Sequence, residues 1–146
     1  MYDLLLKGGR VVDTSSGFDG VLDVAVEDGK IARVAAGIPP SEAARTIEVT
    51  GKLVTPGLID IYAHLNAPAG GVNVQPDYNA LPYGVTTAVD AGDSDAQTFD
   101  SFQSGVIRHS KTRVLAFLNA AGDPAKSAAL LKQHRDRIVG VRTSAE

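Results

Sequence analysis

The sequence predicts an α/β protein in which a small β unit precedes βα units on a parallel sheet. Short apolar segments separated by Gly and Asp run to about residue 53, as in antiparallel β structure. After Thr55-Pro56-Gly57, apolar strand-like segments alternate with helix-like segments, which indicates βα units. We therefore expect a β-sandwich-like domain over residues 1–53 and a second domain over residues 54–146.

The most detailed prediction for the first domain is a hairpin with Asp28-Gly29 at its turn. This pair is typical of a two-residue type I′ turn, in which both residues have positive φ. The turn places Glu27 opposite Lys30 and Val26 opposite Ile31, a charged pair beside an apolar pair. The other strands predicted here are Asp3–Lys7, Arg10–Asp13 and Arg45–Val49.

Four strands and two helices are predicted in the second domain. The strands are Leu58–His64, Thr86–Ala91, Arg113–Asn119 and Ile138–Arg142. Ser94–Gln97 fits a capping box, and Phe99, Phe102 and Val106 then recur on one helical face. Asp123-Pro124 supplies an N-cap and a first-turn proline for the other helix.

Composition argues against several classes of function. The chain has 14 basic and 17 acidic residues without a basic cluster, so we expect no nucleic-acid partner. It has no cysteine, which excludes disulfides, thiolate metal sites and a cysteine nucleophile. No apolar stretch approaches the roughly 20 residues that cross a bilayer, so we expect no membrane partner. The N-terminus shows neither a basic segment nor a signal cleavage site, which predicts a cytoplasmic location.

The segment VTPGLIDIYAHL, residues 54–65, resembles the first barrel strand of the amidohydrolase superfamily, which typically reads PGLIDxHxH. The phrases LLKGGRVVD and VEDGKI before this segment and YGVTTAVDAG after it occur in the order found in that family. The last phrase is most similar to the branch that contains dihydroorotases and hydantoinases. The resemblance extends over essentially the whole chain.

The resemblance implies that residues 54–146 form the first half, about four strands, of a TIM-type (β/α)8 barrel. A full barrel takes roughly 250 residues, so this segment is long enough for about three βα units and the start of a fourth. A half-barrel leaves an unpaired strand at each edge. We therefore expect a homo-oligomer or a complementing chain that supplies the other barrel half.

The resemblance also implies a metal site at the end of the first barrel strand, where two histidines two residues apart share one face. This chain has Tyr62 at the first position and His64 at the second. A phenol must lose its proton to compete with neutral imidazole, so Tyr62 is a poor substitute. The position of the lysine that bridges two metals in many relatives matches Arg142, whose guanidinium offers no lone pair. The family implies zinc or another divalent metal, and we expect this chain alone to retain none.

Three polar residues are candidates for substrate contacts, and no catalytic residue is assigned. Asn66 follows His64 by two residues, where some relatives carry a substrate-binding Arg or Asn. Asp90 and Asn119 end the second and third predicted strands, on the side where barrels place active sites. Asp and Asn also end strands for turn chemistry alone.

A counter-ion is predicted for Arg142. If its side chain faces the barrel interior, the buried cation needs a partner. Asp60 on the first barrel strand is the favoured partner, and Asp90 is the second.

Three hypotheses for function remain. In the first hypothesis, the chain is half of a metal-dependent hydrolase of amide or cyclic amide C–N bonds and is inactive alone. Alternatively, it is a non-catalytic assembly subunit on the same scaffold, or a fragment without a native role. The joint change at Tyr62 and Arg142 favours the assembly subunit, because it removes both a terminal ligand and the bridge. A fold alone does not decide between them.

Overall fold

A computed structural model describes residues 1–66, 74–120 and 123–143. The chain divides into two compact units, Met1–Pro56 and Gly57–Glu146, each with its own sheet. No helix within the described ranges is long and apolar enough to cross a membrane.

The first unit contains a five-stranded sheet in the order β3-β2-β1-β4, with β5 also paired to β1. The strands are β1 (Leu4–Asp13), β2 (Phe18–Glu27), β3 (Lys30–Ala35), β4 (Thr46–Glu48) and β5 (Leu53–Val54). The first three are antiparallel, whereas β4 and β5 run parallel to β1. The sandwich-like arrangement expected for residues 1–53 stays a prediction.

Strand β1 joins two segments that were predicted to be separate. Its pairing with β2 shifts register between Leu6 and Gly9, so a bulge takes the place of the expected break. Gly8 lies in this bulge with a φ of 75°, a conformation that favours glycine.

The predicted hairpin is confirmed. Asp28 and Gly29 have φ values of 50° and 70°, as a type I′ turn requires. Val26 pairs with Ile31 and Glu27 with Lys30 across β2 and β3.

A buried carboxylate, that of Asp23, connects the strands of the first unit. It accepts hydrogen bonds from the Gly8 amide at 2.8 Å, the Ile38 amide at 2.8 Å and the Lys7 ammonium at 3.1 Å. Burial acts to raise the pKa of Asp23, but these donors outweigh it and the pKa lies below its usual value. Asp23 therefore stabilises the unit in its charged form.

The second unit contains a four-stranded parallel sheet in the order β6-β7-β8-β9. The strands are β6 (Leu58–Ala63), β7 (Val85–Asp90), β8 (Arg113–Asn119) and β9 (Ile138–Arg142), and the helices are α1 (Pro76–Asn79), α2 (Phe99–Phe102) and α3 (Pro124–Gln133). Phe99, Phe102, Val114, Leu118 and Ile138 are among the buried residues of its core. The four strands lie within one residue of their predicted bounds, and the α/β class is confirmed.

The helix after β7 begins later than predicted, and the capping box at Ser94 is wrong. Ser94 is fully buried, and its hydroxyl accepts a hydrogen bond from Asn66 at 2.8 Å. Asp95 instead accepts the amides of Gln97 and Thr98, and α2 starts at Phe99. The start of α3 is as predicted, because the Asp123 carboxylate accepts the amide of Lys126 at 3.0 Å.

Candidate functional site

The predicted site residues lie at the carboxyl edge of the second unit's sheet. His64 directly follows β6, Asp90 ends β7, Asn119 ends β8 and Arg142 ends β9. Parallel sheets of α/β proteins bind ligands at this edge, because the connecting loops there carry the variable side chains.

Asp90 is a fully buried carboxylate that holds this edge through backbone amides. Its oxygens accept hydrogen bonds from Leu65 at 3.0 Å, Asp93 at 2.9 Å and Gly92 at 3.3 Å. Burial raises the pKa of Asp90, although the three amides favour its charged form. Asp90 thus positions Leu65, which follows His64, together with Gly92 and Asp93.

His64 is paired with Asp93, a residue that the sequence did not single out. Nδ1 of His64 lies 2.8 and 3.0 Å from the two carboxylate oxygens of Asp93. A carboxylate at Nδ1 makes that nitrogen the donor and leaves the lone pair on Nε2. Asp93 could have been noticed as the second acid of the VDAGD stretch that follows β7, because such loops carry functional side chains.

Tyr62 lies beside His64, as expected for alternate residues of one strand. The two rings meet edge to face with centroids 5.6 Å apart. The Tyr62 side chain is 63% exposed, and its backbone amide donates to Asp60 at 2.9 Å. Tyr62 therefore presents an exposed ring to the site.

Arg142 crosses the sheet edge from β9. Its Nη1 donates to the carbonyl of Ala91 at 2.6 Å, and its guanidinium carbon lies 6.0 Å from the Tyr62 ring centroid. Gly92 has a φ of 89°, and a Cβ there would lie 2.8 Å from Cδ of Arg142 and 2.9 Å from its Cβ. We call this set of contacts between Arg142 and Ala91, Gly92 and Tyr62 the Arg142 strap. Since β7 and β6 are two and three places from β9, the strap spans the whole described sheet.

The predicted ion pair of Arg142 with Asp60 or Asp90 is wrong. In residues 1–66, 74–120 and 123–143, no carboxylate oxygen lies within 4.0 Å of the guanidinium. Asp60 and Asp90 accept backbone amides instead. Arg142 is partly exposed, and a carbonyl and a ring face provide contacts that do not require a buried counter-ion.

Asn66 and Asn119 both meet Ser94. The Asn66 side chain donates to the Ser94 hydroxyl at 2.8 Å, and the backbone N–H of Asn119 donates to the Ser94 carbonyl at 2.8 Å. These contacts join the ends of β6 and β8 through the loop after β7. A role for either residue in substrate binding stays a prediction.

The donor set described here does not fit the bridged two-metal centre that the resemblance implies. His64 offers one imidazole nitrogen, but its neighbours are a tyrosine and a guanidinium that cannot bind metal. Among the described residues, no three His, Asp or Glu side chains are grouped so that they could hold a metal ion. We therefore derive no reaction step through a metal.

Comparisons with known proteins concern the fold and the family of similar proteins. No family model matches the chain. The dihydroorotase of Trichlorobacter lovleyi is 50% identical over 66 residues, which are 45% of this chain and 16% of that protein. A dihydroorotase crystal structure covers 100% of this chain with a TM-score of 0.84 at 23% identity, and an adenine deaminase covers 97% with a TM-score of 0.77 at 30% identity.

The similar proteins belong to the amidohydrolase superfamily, and this chain resembles their N-terminal portion. Within it, the similar sequences are dihydroorotases, which share their N-terminal portion with this chain. The chain spans 43% of the dihydroorotase structure and 41% of the adenine deaminase structure, less than half of either.

Proposed function

We propose that this chain is a non-catalytic, amidohydrolase-like assembly subunit. The observation that carries the proposal is the Arg142 strap, in which the residues matching two metal-ligand positions of the family contact each other. We infer that Arg142 puts a permanent cation close to the place where the family would hold a divalent one.

The charge of Arg142 is large enough to matter for metal binding. At an effective dielectric constant near 20, a unit charge about 6 Å from a divalent cation opposes its binding by roughly 5 kcal/mol. Solvent screening at this partly open edge reduces that figure, but even half of it weakens binding by about two orders of magnitude.

The assembly part of the proposal rests on the outer strands of the second unit. Leu58, Ile59 and Ile61 on β6 are 54%, 63% and 67% exposed, and Val139 and Val141 on β9 are 50% and 43% exposed. Apolar side chains on unpaired strands are templates for pairing with another polypeptide. We propose that a second copy of the chain, or a complementing half-barrel, covers these two strands.

Metal content tests the non-catalytic part. The purified chain is equilibrated with zinc, dialysed against a weak chelator and analysed for bound metal, with His64→Ala as the comparison. We expect sub-stoichiometric zinc that does not change in the variant. One tightly held zinc per chain that is lost in His64→Ala would contradict the proposal.

A hydrolase is the second candidate, and the His64–Asp93 pair favours it. A carboxylate at Nδ1 holds the ring as second-shell carboxylates hold metal-binding histidines, with Nε2 free to bind. The remaining ligands would then come from another polypeptide segment. Opening of a cyclic amide such as hydantoin, measured with and without added zinc and lost in His64→Ala, would favour this candidate over the assembly subunit.

A further inference from the structure

The guanidinium of Arg142 retains unused hydrogen-bonding capacity. Within the described residues its hydrogen bond to Ala91 engages Nη1, and no carboxylate lies within 4.0 Å. Nε and Nη2 are the pair of donors that a planar carboxylate accepts in the bidentate geometry typical of arginine. Arg142 is partly exposed, so a solute can reach it.

The Arg142 strap also fixes the side chain before any ligand arrives. Its stem lies against the bare Cα of Gly92, Nη1 is held by a carbonyl and the guanidinium lies over the Tyr62 ring. A free arginine side chain has considerable rotamer entropy, and one that is already ordered loses less of it on binding. Such an arginine binds an anion better than one that is free in solvent.

Charges nearby select among anions. The carboxylates of Asp90 and Asp93 lie at the same edge, and Asp93 is only 13% exposed at its side chain. They oppose a dianion more strongly than a monoanion, which disfavours phosphate. A singly charged, planar carboxylate fits both the donor geometry and this balance of charge.

We propose that Arg142 is the anchor of a binding site for a small monocarboxylate at the carboxyl edge of the sheet. Arg142 matches the position of the family's bridging lysine. In this chain, that position would bind the carboxylate of a ligand in place of metal ions. The proposal rests on the strap alone and does not require the chain to be an assembly subunit.

The test is a titration of the full chain with sodium acetate at constant ionic strength, followed by the NMR signal of the Arg142 Nε–H group. A saturable shift with a dissociation constant on the order of millimolar is expected for one arginine–carboxylate pair. Inorganic phosphate at the same concentration should shift the signal several-fold less.

Variants distinguish the proposed site from general attraction to positive charge. Acetate binding, followed by backbone amide shifts at Gly92 and Asp93, should vanish in Arg142→Met and weaken several-fold in Arg142→Lys, which keeps the charge but loses the fork. Arg108→Met, which removes an exposed arginine elsewhere in the unit, should leave it unchanged. Absence of saturation, equal binding of phosphate, or unchanged binding in Arg142→Lys would overturn the proposal, whereas zinc binding would overturn only the proposed function.

Discussion

The guanidinium carbon of Arg142 lies 6.0 Å from the centre of the Tyr62 ring, although β6 and β9 are the two outer strands of the described sheet. The two positions that the resemblance matches to metal ligands of the family therefore lie within one set of contacts. A change at one of them alters the surroundings of the other, so they should be tested together.

The first prediction concerns recovery of a metal site. The double variant Tyr62→His, Arg142→Lys should bind zinc more tightly than the wild type. The gain in binding free energy should exceed the sum of the gains in the two single variants. The reason is that the double change adds an imidazole and replaces a guanidinium, which offers no lone pair, by an amine that can lose its proton and bind the metal, which brings the set to about the three ligands of a catalytic zinc site. Zinc affinity is measured by competition with a chelator. Tyr83→His with Arg108→Lys, two exposed positions, is the control, and an additive result in the test pair would show that the strap does not couple them.

The second prediction concerns Gly92, which lies under the stem of Arg142. Gly92→Ala adds a Cβ at positive φ and against the Arg142 side chain, so it should lower the free energy of unfolding by about 1–3 kcal/mol. Gly84→Ala is the matched control, because Gly84 has a φ of 83° with no atom within 4 Å of an added Cβ. The two variants should differ, and the difference should disappear in an Arg142→Gly background, which removes both the Cβ and the Cδ that the added methyl would meet. Equal losses in both backgrounds would mean that Gly92 serves backbone conformation alone.

The third prediction concerns Asp23 and pH. Asp23→Asn should lower the free energy of unfolding by about 2–4 kcal/mol, because it leaves Lys7 and two amides without their charged acceptor. The pKa of Asp23 is lowered on folding, so its stabilisation is full above the ordinary aspartate value of about 3.9 and is lost as pH falls through the folded value. Denaturant titrations from pH 7 downward should show the wild type and the variant converging in acid. Asp19→Asn, which breaks the exposed pair with Arg10, should lower the free energy of unfolding far less than Asp23→Asn does.

The fourth prediction concerns assembly. Ile61→Lys should shift the protein toward smaller species in light scattering at micromolar concentration, because it places a charge on the exposed outer strand β6. Val21→Lys is the control, since Val21 is similarly exposed at 70% but belongs to the first unit. A wild-type chain that is a cooperatively folded monomer would refute the assembly proposal.

Local patterns predicted most of the fold, and distant contacts account for what they missed. The Asp28-Gly29 turn determines its hairpin because the required φ values depend on those two residues. The predicted capping box at Ser94 was wrong because the Ser94 hydroxyl accepts a hydrogen bond from Asn66, 28 residues earlier in the chain. The partner of Arg142 was missed for the same reason, since Ala91 is 51 residues away and contributes a carbonyl that no side-chain pattern reveals.

Asp90 accepts hydrogen bonds from the peptide N–H groups of its neighbours. These bonds do not depend on which side chains those residues carry. Natural variation or mutagenesis at neighbouring positions can therefore change the functional groups at this edge of the sheet while the backbone conformation is retained. The exchange of an imidazole for a phenol at position 62 is compatible with such tolerance. For the same reason, new side chains can be introduced by substitution at this edge of the sheet, provided that Asp90 itself is retained.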